Sequence, residues 1–272
     1  MKLAILITSF NRKNITLRCL SKLFSSILPE DLLMQVYLVD DGSSDGTGET
    51  VGRHFQNIKV IKGDGKLYWG GGTNKAWINA SKEYDFDYYV WLNDDVELFD
   101  NTLNTLIKCS KILQDFGIIS ASMQEKASNK ITYGGIKKGS KGNLIPSGKI
   151  QECETVNGNC VLIPRFVYNK VGMLDPIFIH AMGDLDYGTR AQKMGVKCYK
   201  SPDIGGYCEL NTKIPNWNRA NLSLIDRLIS LYSISSYNQP IKYFIYARRR
   251  FGVVIAFTHV VKMHLKLFFP TQ

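Results

Sequence analysis

The sequence lacks several features that would assign it at once to a class of protein. Its six cysteines include no Cys-x-x-Cys pair, which argues against a zinc site and against a redox centre. No apolar run reaches the roughly 20 residues of a membrane-spanning helix, and the run at residues 3–9 is too short for a signal-peptide core. These absences predict a reduced, cytoplasmic protein with buried structural thiols.

Low-complexity tracts and internal repeats are absent as well, and 44% of the 272 residues are hydrophobic, so we expect a folded globular chain. The net charge of +10 favours a polyanionic partner, such as nucleotide phosphates, nucleic acid or an anionic membrane. The basic residues concentrate in the C-terminal tail beside apolar positions rather than among aromatic residues across a sheet. This distribution predicts no nucleic-acid partner.

Apolar runs rich in branched residues alternate with helical patterns along the first 124 residues. This alternation predicts an α/β fold in which a mostly parallel central sheet has helices on both faces. Strands are predicted at residues 3–9, 34–40, 57–62 and 87–93, and helices at residues 14–27, 73–83 and 101–114.

The alternation weakens from about residue 125. Residues 125–153 are polar and rich in Gly, Ser and Lys, which favours loops or a small hairpin. A strand is predicted at residues 156–164 and a helix at residues 184–195. We therefore divide the chain into a main domain at 1–215, with halves 1–124 and 125–215, and a helical, basic C-terminal extension at 216–272.

Polar clusters follow three of the predicted strands. They are Thr8-Ser9-Phe10-Asn11, Asp40-Asp41 and Asn93-Asp94-Asp95. In sheets of this kind ligands bind beyond the carboxyl ends of the strands, so the three clusters predict one ligand site at a shared sheet edge.

The pair Asp94-Asp95 is the candidate metal site. Two carboxylates after an apolar strand reach the sheet edge, and Mg²⁺ in particular combines one or two carboxylates with substrate phosphates. The alternative is an N-cap for the next helix, a role that Asp100 or Asn101 could equally fill.

Two further segments of the first half suit a nucleotide ligand. The carboxylates of Asp40-Asp41 can accept hydrogen bonds from a base or a ribose, although an Asx turn would explain them as well. Gly70-Gly71-Gly72, with Asn74, would allow the backbone of a loop at residues 63–72 to approach phosphate at a helix N-terminus. The alternative for the glycines is a flexible turn.

The segment Gly183-Asp184-Leu185-Asp186 places two carboxylates at the start of a predicted helix. Asp186 can cap this helix or pair with Arg190, four residues further on. Asp184 is then free to act as a general base on an acceptor hydroxyl, unless it too serves as a cap.

Taken in order, these clusters resemble family 2 glycosyltransferases of the GT-A fold over roughly the first 200 residues. Further pieces resemble a bacterial subgroup that assembles surface polysaccharides, namely Tyr68-Trp69-Gly70-Gly71-Gly72, Asn157-Gly158-Asn159 and Gly183-Asp184-Leu185-Asp186-Tyr187-Gly188. The family motifs themselves are Thr8-Ser9-Phe10-Asn11-Arg12, Val39-Asp40-Asp41-Gly42-Ser43-Ser44-Asp45-Gly46-Thr47, Leu92-Asn93-Asp94-Asp95 and Gly183-Asp184-Leu185-Asp186.

The resemblance implies an inverting transfer of sugar from a UDP- or dTDP-sugar to a hydroxyl of a glycan or a lipid-linked acceptor. It implies that Asp184 is the general base and that Asp95, in the family's DXD motif, is the principal ligand of a divalent metal, Mg²⁺ or Mn²⁺. It also implies that Thr8, Phe10 and Asp41 hold the nucleobase and ribose. The donor site is completed by Asn11, Arg12, Asp40, Gly71, Gly72, Asn74, Asn93 and Asp94.

The sequence departs from the family pattern at two points. Asn93 stands at the first position of the DXD motif, where an amide can still bond ribose or a metal-bound water. Many relatives place a histidine on the metal after the catalytic carboxylate, whereas this chain has Glu209 and Asn211 in that region. His180, four residues before Asp184, is expected to be a packed or surface residue, and the alternative is a role at the site.

Two other functions compete with glycosyl transfer. A non-catalytic module that binds a nucleotide sugar or a carbohydrate is compatible with Asn93, but the presence of Asp95 and Asp184 argues against it. A nucleotidyltransferase usually has a glycine-rich, basic segment after its first strand, where this chain has Ser9-Phe10-Asn11-Arg12.

The segment from Tyr243 to Phe269 mixes basic and apolar residues at helical spacing. Such a helix indicates contact with an anionic membrane surface, which would suit a lipid-linked acceptor and a peripheral location on the inner face of the membrane. The alternative is that the tail packs on the main domain, and both roles are compatible.

Overall fold

The computed structural model describes residues 1–139, 142–211 and 214–270. Its strands are β1 (Lys2–Ser9), β2 (Leu33–Asp40), β3 (Ile58–Lys62), β4 (Tyr88–Leu92), β5 (Glu97–Leu98), β6 (Gly117–Gln124), β7 (Ile131–Tyr133), β8 (Gly135–Ile136), β9 (Gln151–Cys153), β10 (Thr155–Val156), β11 (Cys160–Pro164) and β12 (Lys197–Tyr207). Its α-helices are α1 (Lys13–Phe24), α2 (Thr47–His54), α3 (Tyr68–Glu83), α4 (Thr102–Ile112), α5 (Arg165–Val171), α6 (Gly183–Lys193), α7 (Leu224–Tyr232), α8 (Pro240–Phe251) and α9 (Val253–Lys266).

The strands form a mixed central sheet in the order β3-β2-β1-β4-β11-β6-β12-β5, with β7 beside β6 and β9 beside β12. The pairs β1–β2, β1–β4 and β2–β3 are parallel, so β1, β2 and β4 end at the same edge. Strand β11 runs antiparallel between β4 and β6, while β6 and β12 are parallel.

The core lies on both faces of the sheet because successive side chains of a strand point to opposite sides. On one face Leu3 and Ile5 pack with Leu20 of α1 and Leu106 of α4. On the other face the core includes Leu6 of β1, with residues of α3 and α6. The predicted sheet with helices on both faces is confirmed, and so are the six cysteines as buried free thiols.

The glycine run differs from its predicted loop. Helix α3 begins at Tyr68, so Gly70 and Gly72 lie in its first turns rather than before it. The carboxylate of Asp41 accepts the N–H groups of Leu67 (3.0 Å) and Tyr68 (2.9 Å) and thereby caps the helix early. The sequence pattern could not show this cap because Asp41 is 27 residues away in the chain.

The glycines give close packing within the protein. A Cβ atom on Gly70 would lie 2.1 Å from the carbonyl oxygen of Phe178, and one on Gly72 would lie 2.3 Å from Cγ2 of Thr8. Any larger residue would therefore push α3 away from β1 and from the segment before α6. The predicted strand at 156–164 is also divided, into β10 and β11, by the turn at residues 157–159.

The C-terminal extension is helical, as predicted, and part of it packs on the main domain. Tyr246 of α8 contributes to a small apolar cluster with Phe178 and Met182. Arg249 of the same helix pairs with Asp186 (2.9 Å) and with Asp175 (2.8 Å). In the part of the chain that the structure describes, no helix is both long and apolar enough to cross a membrane.

Candidate active site

A cavity of about 690 Å³ opens at the carboxyl ends of β1, β2 and β4. The opposite wall comes from the turn at residues 157–159, the start of α6 and the segment that follows β12. The lining residues are Thr8, Ser9, Phe10, Arg12, Asp41, Tyr68, Trp69, Asn93, Asp94, Asp95, Tyr133, Asn157, Gly158, Asn159, His180, Ala181, Met182, Asp184, Glu209, Leu210, Asn211 and Tyr237.

The structure brings most of the predicted site residues together in this cavity. Asp184 meets the strand-end residues there although it lies far from them in the chain. Five predicted residues are not part of the lining. Asn11 bonds Ser43 and Ser44, Asp40 accepts the N–H groups of Ser43 and Gly48, Asn74 donates to the carbonyl of Leu174, and Gly71 and Gly72 lie within α3.

Asp40 and Asp41 both organise loops beside the cavity. Asp41 accepts three backbone N–H groups, those of Gly65, Leu67 and Tyr68, at 2.9–3.0 Å. These bonds reach residues 24 to 27 positions further along the chain, so they differ from the local Asx turn that the sequence offered as the alternative to ligand binding. Asp41 nevertheless lines the cavity, so its predicted contact with a nucleobase stays a prediction.

Arg12 pairs with both carboxylates of the acidic turn after β4. Its guanidinium lies 3.0 Å from Asp94 Oδ1 and 2.8 Å from Asp95 Oδ2. Burial raises the pKa of Asp94 to about 6, although the positive charge of Arg12 opposes this shift. Asp94 is nearly inaccessible, whereas 31% of the Asp95 side chain is exposed. Asp95 is therefore the carboxylate that a ligand in the cavity can reach.

These residues suit a divalent cation that is shared with a substrate. No group of three or more His, Cys, Asp and Glu side chains able to hold a metal occurs within the described ranges. A hard cation of the Mg²⁺ type needs only one or two protein carboxylates when phosphates supply its other ligands. Asp95, with Asp94 behind it, fits that mode, and Glu209 and Asn211 line the same cavity.

Asn93 is linked through Trp69 to Gly158, on the side of the cavity where Asp184 lies. The amide oxygen of Asn93 accepts the indole N–H of Trp69 at 2.8 Å. The Trp69 ring packs so closely on Gly158 that a Cβ atom there would lie 2.5 Å from Cζ2 of the indole. Asn93 thus orients an aromatic side chain of the cavity wall, a role that its place in an acidic motif did not indicate.

Asp184 is held by backbone donors at the start of α6. Its carboxylate accepts the N–H groups of Gly158 (2.7 Å) and Leu185 (2.8 Å). Burial raises the pKa of Asp184, and the two N–H groups partly offset this effect. A carboxylate with a raised pKa is a stronger proton acceptor once ionised. Asp186, two residues on, points away and pairs with Arg190, as predicted.

Several residues that line the cavity were not predicted from the sequence. Tyr133, Asn157, Asn159 and Tyr237 were not singled out as site residues, because each lies outside the strand-end clusters. His180 also lines the cavity rather than packing away from it. The motif Asn157-Gly158-Asn159, already quoted for its resemblance, was the signal that could have identified two of them.

Part of the chain matches a known protein family. The profile of glycosyl transferase family 2 matches residues 4–132. An N-acetylglucosaminyl-diphospho-decaprenol L-rhamnosyltransferase of Mycobacterium tuberculosis is 20% identical over 190 residues, which cover 60% of this chain and 62% of that protein. The chain therefore spans less than two thirds of the length of this curated relative.

Solved structures share the fold. A mannosyltransferase from Pyrobaculum calidifontis, solved with GDP-Man and Mn²⁺, has a TM-score of 0.59 at 14% identity and covers 98% of this chain and 72% of its own. Residues 1–349 of S. aureus TarS give a TM-score of 0.59 at 13% identity, covering 98% of this chain and 90% of that one. These likenesses confirm the GT-A fold.

Proposed function

We propose that this chain, whose residues 4–132 match the profile of glycosyl transferase family 2, transfers a sugar from a nucleotide diphosphate donor to an acceptor hydroxyl with inversion. The observation that carries the proposal is that Asp95 and Asp184 line one cavity, joined by the Asn93–Trp69–Gly158 contacts. One carboxylate serves the leaving diphosphate and the other serves the incoming hydroxyl.

The proposed reaction is a direct displacement. Asp184 accepts the proton of the acceptor hydroxyl as the new C–O bond forms, and the bond to the nucleotide diphosphate breaks on the opposite side of the sugar. Arg12 holds positive charge at the cavity wall, where the diphosphate would gain negative charge. A divalent ion held by Asp95 would neutralise this leaving group when bound.

The donor is proposed to be a UDP- or dTDP-sugar, because uracil and thymine present the same imide edge to Asp41. TarS has been solved with UDP-GlcNAc and the Pyrobaculum mannosyltransferase with GDP-Man, which supports a nucleotide-sugar donor for a protein of this fold. The acceptor is proposed to be a glycan or lipid-linked saccharide of bacterial surface polysaccharide synthesis. The mycobacterial relative is named for N-acetylglucosaminyl-diphospho-decaprenol, a saccharide joined to a lipid through a diphosphate, and this name supports the choice.

Nucleotide release from UDP- and dTDP-sugars, with and without Mn²⁺, tests the function. The acceptor probe is N-acetylglucosamine diphosphate carrying a short prenyl chain. We expect Asp184→Asn to abolish transfer while donor affinity is kept, because only the proton acceptor is lost. Asp95→Asn should weaken Mn²⁺-dependent donor binding.

Asp31→Asn is the matched control, since this carboxylate is 72% exposed and pairs with the N-terminus away from the cavity. Nucleotide binding without any Mn²⁺-dependent turnover would instead support the non-catalytic module. Substantial turnover in Asp184→Asn would show that the base is assigned to the wrong residue.

The C-terminal extension is proposed to bind an anionic membrane surface. Residues 216–272 contain eight Lys and Arg residues and one acidic residue, Asp226. Large apolar side chains on α7 and α9 are exposed, among them Ile225 (70%), Val254 (72%) and Phe257 (63%). A second copy would present the same positive charge, so anionic lipid complements this surface better than self-association does.

Liposome flotation tests the membrane contact. The wild-type chain should float with vesicles that contain phosphatidylglycerol and stay behind with pure phosphatidylcholine. The variant Val254→Ser/Phe257→Ser should lose much of this recovery, because it removes apolar surface without touching the fold. Ile145→Ser, at a residue that is 74% exposed outside the extension, is the control. Equal flotation of all three proteins would exclude the extension as the contact.

A further inference from the structure

One side of the cavity is lined by aromatic rings that the proposed reaction does not use. The imidazole of His180 lies between two tyrosines, with ring centroids 5.4 Å from Tyr68 and 5.0 Å from Tyr237. Both contacts are edge-on, at interplanar angles of 60° and 61°. The three residues come from three distant parts of the chain and meet only at this wall.

Tyr237 is the contribution of the C-terminal extension to the cavity. It follows α7 and precedes α8, and 58% of it is exposed. A large apolar ring held at the mouth of a cavity offers a surface against which a ligand can lie. Partial burial, and then the charges of Asp184 and Asp95, raise the pKa of Tyr237. The phenol therefore stays protonated and able to donate a hydrogen bond beside the base.

His180 carries an unused polar atom at the same wall. Its Nδ1 is buried and has no hydrogen-bond partner among the residues described. Burial, and then the charge of Lys242, lower the pKa of His180, so the imidazole is neutral. A buried polar atom without a partner costs free energy that a ligand hydroxyl would recover.

We propose that Tyr237 and His180 form the acceptor subsite, in which a pyranose ring lies against the Tyr237 ring and a sugar hydroxyl bonds His180 Nδ1. The proposal rests on the proposed function. Sugar rings present C–H groups on one face and hydroxyls at their edge, which matches an aromatic surface beside a polar atom.

The position of the wall assigns it to the acceptor rather than the donor. The donor end of the cavity is formed by Thr8, Arg12 and Asp41 at the ends of β1 and β2. The proton acceptor, Asp184, must contact the acceptor hydroxyl, and the segment that carries it begins just after His180. An extension that binds membrane would thus also supply the residue that receives a lipid-linked sugar.

Two measurements with the prenyl diphosphate N-acetylglucosamine probe test the subsite. In steady-state kinetics, Tyr237→Ala should raise KM for the probe about tenfold, as expected for losing about 1.4 kcal/mol of ring contact, and should leave KM for the donor unchanged. Tyr237→Phe should restore most of the affinity because it keeps the ring. His180→Phe should raise KM for the probe several-fold.

Calorimetric titration of the probe into UDP-loaded protein gives the second measurement, which needs no turnover. Ile112→Ala is the control, since this residue is 71% exposed on α4, outside the extension, and does not line the cavity. Tyr237-dependent binding in a chain that never releases nucleotide would sustain the subsite and defeat the proposed reaction. No binding by the wild-type chain, or equal affinity in Tyr237→Ala, would overturn the subsite.

Discussion

Two carboxylates of the cavity share a residue type but differ in surroundings. Asp95 is partly exposed and paired with Arg12. Asp184 has no cationic partner among the contacts that the structure describes and accepts only backbone N–H groups. These different surroundings fit the two proposed roles, in which one carboxylate lies beside a cation and the other exchanges a proton.

The raised pKa of Asp184 predicts the pH dependence of transfer. The carboxylate must be ionised to accept a proton, so kcat/KM should rise with pH along an acid limb centred above the ordinary aspartate value of 3.8. Asp94 has a pKa of about 6 and offers a rival explanation for such a limb.

The variant Asp94→Asn separates the two explanations in a pH–rate profile. If Asp184 sets the limb, the variant should be slower but keep the same midpoint, because Asp184 still titrates. A limb that disappears in Asp94→Asn would assign the titration to Asp94.

For single residues, the sequence predicted which side chains belong to the site better than it predicted what those side chains contact. Thr8, Phe10, Arg12, Asp94, Asp95 and Asp184 all line one cavity, as the motifs indicated. The partners of these residues could not be predicted, because they depend on how distant segments pack. Asn93 shows the difference, since its amide oxygen accepts a bond from an indole of another element, while its predicted contact with the donor stays a prediction.

At the scale of elements, α3 is where local pattern and tertiary contact disagree. Three consecutive glycines have poor helix propensity and favour a loop. Asp41 supplies the missing N-terminal partners, and only glycine allows the helix to approach β1 so closely. The four strands predicted in the first half depended on hydrophobic runs alone and match β1 to β4 to within one residue, whereas β5 and β6 were not among them.

The close approach of α3 to β1 predicts that adding a methyl group at a glycine of α3 and at a glycine of α2 changes stability in opposite directions. Gly72→Ala should destabilise the protein by about 1–3 kcal/mol, because the new Cβ would lie 2.3 Å from Cγ2 of Thr8. Gly52→Ala in α2 is the matched control. Its Cβ would meet only Cγ2 of Val60, at 3.9 Å, so it should stabilise by about 0.5–1 kcal/mol.

Urea unfolding midpoints measure both variants. Destabilisation by Gly52→Ala as large as that by Gly72→Ala would mean that helix substitution itself, and not the contact with Thr8, is responsible.

At the scale of the whole molecule, the cavity requires all three predicted segments of the chain. Residues 1–124 supply the donor end, residues 125–215 supply Asp184, and the extension supplies Tyr237. The division between residues 215 and 216 remains a prediction. The α/β alternation predicted the first segment well, whereas residues 125–153 of the second segment, made of short strands and turns, offered no periodicity from which to derive their arrangement.

Arg249 is one of two arginines of α8 that pair with the main domain, the other being Arg250, which pairs with Glu154 at 2.9 Å. Arg249 bonds Asp186, whose side chain is fully buried, at 2.9 Å and Asp175 at 2.8 Å. Arg249→Ala should lower the free energy of unfolding by about 2 kcal/mol, less than the about 3–5 kcal/mol for an unpaired buried charge, because Arg190 still neutralises Asp186. It should also speed tryptic cleavage within the extension.

Arg248→Ala removes an exposed arginine from the same helix, so its free energy of unfolding should stay within about 0.5 kcal/mol of the wild-type value. Because α8 follows Tyr237 closely, loosening α8 should also raise KM for the acceptor probe in Arg249→Ala and not in Arg248→Ala. If both variants unfold at the same midpoint, the apolar contacts of Tyr246 with Phe178 and Met182, together with the Arg250–Glu154 pair, hold the extension without Arg249.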